Sequence, residues 1–214
     1  MKQLYPDLWQ TSIYRSGELS SHAYFLLHPA GNILFYSTGN NAELDHIEQL
    51  GGIKYQLLTH RDEAGPSLQR IQQRFGSMLM FSEYERDAIG EHALADRYFE
   101  VDDHKLGDID VLHTPGHTGG SVCFFYQSPH GKSYLFTGDT FFQWQDRWAT
   151  LVLASTGGSE AALAKSLLKL RSLNPDVVIS SGFVGEVGVK EVTRDEWVEA
   201  IDTEIHKLDR AISI

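Results

Sequence analysis

The run Val111-Leu112-His113-Thr114-Pro115-Gly116-His117-Thr118-Gly119-Gly120-Ser121 constrains this chain more than any other stretch of it. Residues 111–114 read as the end of a strand, Pro115-Gly116 as a tight turn, and His117 as an imidazole held just beyond that turn. Proline fixes one backbone angle and glycine permits unusual ones, so such a loop can aim a metal ligand into a cleft. Two other segments share the design. Leu57-Leu58-Thr59-His60-Arg61-Asp62 precedes the run and Leu135-Phe136-Thr137-Gly138-Asp139-Thr140 follows it. Each is an apolar strand ending in potential metal ligands.

The rest of the chain alternates strand and helix signals. Residues 24–28 and 33–37, joined by Pro29-Ala30-Gly31-Asn32, read as a hairpin. Ala42, His46, Ile47 and Leu50 fall at helical spacing before Gly51-Gly52. Pro66 is placed to open a helix that carries Leu68, Ile71 and Phe75 and stops at Gly76. Strands are expected at 55–59, 78–81, 98–102, 109–114, 121–126, 133–137 and 177–180, with a charged helix-like turn at 83–90. Ser159 caps a helix to about Leu170, and Thr193 with Glu196 makes a capping box for a terminal helix. After Asp139 comes an aromatic loop with Phe141, Phe142, Trp144 and Trp148, which reads equally as pocket lining or as packing.

Composition narrows the partners. Among 214 residues, 29 acids stand against 18 Lys and Arg, for a formal net charge of −11. That balance repels phosphate backbones and anionic membranes, so the partner expected is a small molecule, neither nucleic acid nor membrane. No linker-like tract interrupts residues 1–214, and a single domain is expected. The lone Cys123 excludes an internal disulfide and, in its apolar β-rich run, reads as a small buried hydrophobe. With no apolar leader and no span of about 20 apolar residues, the cytoplasm is the expected compartment.

The motifs in their order resemble the metallo-β-lactamase superfamily, which includes glyoxalase II-like thioester hydrolases. Its pattern is a strand ending in Thr-His-x-His-x-Asp-His, then His-Thr-Pro-Gly-His-Thr-x-Gly-Ser, a Gly-Asp after a strand, and a late Gly-His. The resemblance spans roughly residues 20–185 and implies a four-layer αββα sandwich with the active site along one edge. Two metal sites lie side by side in that family. Carried over by position, His60 keeps the first ligand, Asp62 stands for the second His, and His117 and Asp139 are retained. Ala64, Gly65 and Phe183 stand where the second site needs Asp, His and His.

The resemblance therefore implies one site at most, from His60, Asp62, His117 and Asp139, holding one divalent metal or none. Zinc comes first; iron or manganese follow from the oxygen-rich donor set. A metal-bound water would attack an ester, thioester or amide. The base that Ala64 cannot supply would come from Asp62 or Glu63. The alternative is a catalytically inactive member of the family that binds a ligand or partner. His113 reads as a structural neighbour rather than a ligand, and His22, His104 and His130 as ordinary loop or surface residues.

Overall fold

The computed structural model describes residues 1–37, 39, 40, 42–99 and 104–212. Two compact units divide the chain, Met1–Phe99 and Glu100–Ile214.

The first unit is built on a seven-stranded sheet whose strands pair in chain order. They are β1 (Lys2–Tyr5), β2 (Leu8–Gln10), β3 (Tyr24–Leu26), β4 (Ile33–Phe35), β5 (Tyr55–Leu57), β6 (Met78–Ser82) and β7 (Arg97–Phe99). The first four pair antiparallel and the last four parallel. The switch follows from the connections, because parallel neighbours need a crossover and each of the last three has a helix in it. These are α1 (Leu44–Gln49), α2 (Ser67–Phe75) and α3 (Arg86–Gly90). Phe25 and Leu34 pair across β3 and β4. They pack with Leu44 and Ile47 of α1 and Ile71 of α2. Leu68 of α2 and Ile89 of α3 cover Leu79 and Phe81 in the same way. Gly76 closes α2 in the left-handed conformation, φ 61°, as its place after Phe75 implies.

The second unit carries a six-stranded sheet, again in chain order. Its strands are β8 (His104–Leu106), β9 (Ile109–His113), β10 (Val122–Gln127), β11 (Ser133–Gly138), β12 (Val177–Ser180) and β13 (Val189–Glu191). Only β11 and β12 pair parallel, and the helix α4 (Glu160–Arg171) lies in their crossover. The terminal helix α5 spans Arg194–Ile212. One face of the sheet, with Leu112, Cys123, Phe125, Leu135 and Val178, is covered by Leu163, Leu167 and Leu170 of α4 and Trp197 and Ile201 of α5. The opposite face, with Val111, Phe124, Phe136 and Ile179, is also buried. Burial on both faces is why these strands read as continuous apolar runs instead of alternating ones.

Both expected caps form. The Ser159 hydroxyl accepts from the Ala162 amide, and Glu196 accepts from the Thr193 amide at 2.8 Å. Residues 100–102 of the strand expected at 98–102 lie outside the described residues. Segments that had no strand signal prove to pair. Leu8–Gln10 and Lys2–Tyr5 form an edge hairpin, and the aromatic loop after Asp139 is a hairpin of Phe142–Trp144 with Arg147–Ala149. Strands of three or four residues are too short to display a period of two, and the second hairpin turns through Gln145 at φ 56° instead of a glycine. Trp148 in it stacks on Phe141, centroids 4.8 Å apart, so this ring packs into the core.

Candidate metal centre

In the first unit, β5 runs on through Leu58 and Thr59 to His60, and a 3₁₀ turn at Arg61–Glu63 follows at once. Only 2% of His60 is exposed. Its Nδ1 lies 3.0 Å from the Thr59 hydroxyl and 3.3 Å from Glu63 Oε1. On the other edge of the ring, Nε2 lies 4.0 Å from Asp62 Oδ2. Two donors that each sit about 2.0–2.2 Å from one ion are separated by at most ~4.4 Å, so this pair lies within reach of a shared divalent cation. Asp62 is half-exposed, whereas Glu63 is buried and accepts from the Thr59 amide at 2.9 Å and from the Thr59 hydroxyl. Arg61, next to Asp62 in sequence, sends its Nε to the fully buried Glu85 and ties the turn to the start of α3.

In the second unit, His117 stands on the loop after β9 and is 1% exposed. Its Nδ1 lies 2.9 Å from the Leu151 carbonyl. A carbonyl only accepts, so Nδ1 carries the proton and Nε2 presents its lone pair. The loop itself is gripped from end to end. Lys169 donates to the His113 carbonyl and Ser166 to that of Pro115, both at 2.7 Å. Gly116, at φ 149°, rests so close to α4 that a Cβ there would meet Leu163 Cα at 2.4 Å. The Leu153 amide donates to the His117 carbonyl and the Gly119 amide to that of Thr156. Hence Pro-Gly-His in the sequence marks a backbone that has to touch other backbone.

Asp139 follows Gly138, whose φ is 54°. Its Oδ1 accepts from the Ser181 hydroxyl at 2.8 Å and the Gly182 amide at 2.9 Å, which binds the end of β11 to the end of β12. Phe183 next to them is completely buried. Ala64 packs against the cluster of Leu58 and Leu68, and Gly65 has no side chain to offer. His22 is buried in the first unit, with Nδ1 2.8 Å from the Thr11 carbonyl. Burial pushes its pKa below the ordinary value, partly opposed by hydrogen bonds that the ring donates to the Thr11 and Ser12 backbone and by the charge of Glu43.

The Lactamase_B model of the metallo-beta-lactamase superfamily matches residues 38–182. The chain belongs to the metallo-β-lactamase superfamily. Hydroxyacylglutathione hydrolase GloC of Haemophilus influenzae is 30% identical over 71% of this chain and 79% of its own length. A probable hydroxyacylglutathione hydrolase of Schizosaccharomyces pombe is 35% identical over 42% of this chain, and the match spans only 34% of that protein. Among solved structures, the metallo-β-lactamase FIM-1 of Pseudomonas aeruginosa in its mono-zinc form superposes with a TM-score of 0.72 at 13% identity, over 96% of this chain and 94% of that one. A metallo-β-lactamase from Pontibacter korlensis gives 0.69 at 19% identity, over 95% and 98%. At such identities the likeness concerns the fold, and the fold class is the αββα sandwich expected from the motifs.

Several contributors to the centre carry no sequence signal. The Leu151 carbonyl that holds His117 belongs to an unremarkable apolar residue, and any residue there would supply the same oxygen. Thr59 and Glu63 flank His60 in sequence, yet only the 3₁₀ turn brings the Glu63 carboxylate back onto Thr59.

Proposed function

We propose that this protein is a hydrolase that acts on an ester, thioester or amide with one divalent ion, for which His60, Asp62 and His117 are the ligands that their places in the family's motifs assign. The observation that carries this reading is the His117 imidazole, buried and locked by Leu151 in the tautomer a metal ligand needs. Two nitrogens and a carboxylate oxygen suit zinc, and a further carboxylate would admit iron or manganese. Because Ala64, Gly65 and Phe183 offer no donors, the centre takes one ion rather than two.

When bound, the ion supplies Lewis-acid polarisation of the scissile carbonyl and acidifies a water beside it. The chain's own groups do the rest. Asp62 accepts a proton on the carboxylate oxygen turned away from His60, since half its side chain reaches solvent. The Glu63 carboxylate is committed to Thr59 and serves position, not proton transfer. Asp139 braces Ser181 and Gly182 and stands as the candidate fourth donor through Oδ2. The relatives are named as hydroxyacylglutathione hydrolases, which puts small acyl thioesters first among substrates.

Elemental analysis of the untagged wild type beside His117→Ala tests the reading. About one equivalent of transition metal, lost in the variant, together with metal-dependent thioester hydrolysis, is the expected result. Folded wild type that takes up no zinc, iron or manganese would sink it. The chain would then be a binding protein on this fold, a reading that the three absent donors favour.

A further inference from the structure

We infer that Glu63 is a positioning residue that sets the tautomer and direction of the His60 ring through Thr59. The inference rests on the reading of His60 as a ligand, though its first readout does not need the ion. Glu63 is 6% exposed and lies in the turn directly after the strand end, where a carboxylate is costly to bury without partners. Among the described residues its partners all belong to the His60 corner: the Thr59 amide, the Thr59 hydroxyl and His60 Nδ1.

Donor counting decides the ring. An ionised carboxylate only accepts, so the Thr59 hydroxyl spends its single proton on Glu63. The same hydroxyl oxygen lies 3.0 Å from His60 Nδ1 and has only lone pairs left to offer. Nδ1 must then donate, and Nε2 keeps its lone pair. On the other edge Asp62 Oδ2 lies 4.0 Å from Nε2, beyond the reach of a hydrogen bond that would hold the opposite tautomer. Two successive acids thus take opposite edges of one imidazole. Glu63 prevails because it is buried and already hydrogen-bonded, whereas Asp62 is half in solvent, where water weakens its pull. The same turn aims Asp62 outward and Glu63 inward, so the strand-end segment that has no donor at 64 or 65 clamps its own His60 from the inside.

The test is the ¹⁵N–¹H correlation spectrum of histidine-labelled, metal-free full-length protein for wild type, Glu63→Ala and Glu63→Gln, followed by zinc competition with a chelator. His60 protonated at Nδ1 in the wild type, and shifted toward the Nε2 form in Glu63→Ala, is expected. Zinc affinity should fall about 10- to 100-fold in Glu63→Ala, the loss typical of removing a ligand's hydrogen-bond partner. Glu63→Gln, whose amide oxygen still accepts from Thr59, should retain the wild-type tautomer and much of the affinity; if Glu63→Ala does not fold, the tautomer of the wild type is itself the test. A wild-type His60 protonated at Nε2, or a folded Glu63→Ala with an unchanged tautomer, overturns the inference. Wild type with the expected tautomer shift and no zinc binding supports the clamp and overturns only the proposed ion.

Discussion

A single methyl group at residue 158 is expected to disturb the centre from outside it. A Cβ on Gly158 would lie 2.3 Å from the His117 carbonyl and 2.5 Å from that of Gly116, both backbone atoms that cannot swing aside. Gly158→Ala should therefore cost about 1–3 kcal/mol and lower zinc occupancy with it, as read by thermal unfolding and elemental analysis; wild-type occupancy would show that the loop yields without moving His117. His22 gives a pH dependence with a definite sign. Its folded pKa lies below the ordinary 6.5, so between the two values the unfolded state binds more protons. Stability from this group is complete above about 6.5 and declines as pH falls toward the folded pKa. His22→Gln should flatten that part of the stability curve in urea titrations at stepped pH. The candidate histidines were legible at this scale, because His60 and His117 stand in motifs whose neighbours are also present. The roles of Asp62 and Glu63 were not separable in sequence, since two adjacent acids look alike until a turn sends one to solvent and the other inward.

At the scale of elements, caps and clasps decide where strands and helices begin. Ser159 caps α4 through its hydroxyl, and Ser159→Ala should cost about 1 kcal/mol, measured by chemical denaturation. The start of β11 is clasped to the start of β12 by Asp176, whose Oδ2 accepts from the Ser133 amide and hydroxyl, both at 2.7 Å. Those bonds hold the Asp176 carboxyl below its ordinary 3.8. A depressed carboxyl contributes stability above about 3.8 that is lost as pH falls through the folded value. Asp176→Asn should thus lower the melting temperature at neutral pH and shrink the difference from wild type in acid; an equal difference at all pH values would remove the carboxylate from the account. Helices were the elements most readable in sequence, because Ser159, Thr193 with Glu196, and Gly76 mark ends by local chemistry. The edge strand Leu8–Gln10 and the hairpin at 142–149 were not, for their pairing partners lie elsewhere and their length shows no period.

For the whole molecule, core and surface lead to different measurements. Trp197 is fully buried beneath α4, with its indole N–H donated to the Leu170 carbonyl and its ring edge-on to Phe141 at 5.5 Å. Trp197→Ala should cost about 3–5 kcal/mol in urea unfolding of the folded chain. The net charge of −11 with a sequence pI near 5.3 implies a solubility minimum around that pH and no retention on heparin at neutral pH in moderate salt; tight retention would contradict the expected indifference to nucleic acid. Periodicity and caps determined, by themselves, much of the run of strands and helices, and the motifs marked His60 and His117, because each of these is written in residues a few positions apart; the αββα class followed from the resemblance that those motifs carry. Only the tertiary structure decided which acid faces His60 Nδ1 and which Nε2, that a carbonyl at Leu151 holds His117, and that Asp139 reaches Ser181 and Gly182. Those outcomes depend on backbone atoms and on contacts across dozens of residues. Every residue type supplies the same backbone atoms, so the sequence carries no mark of them.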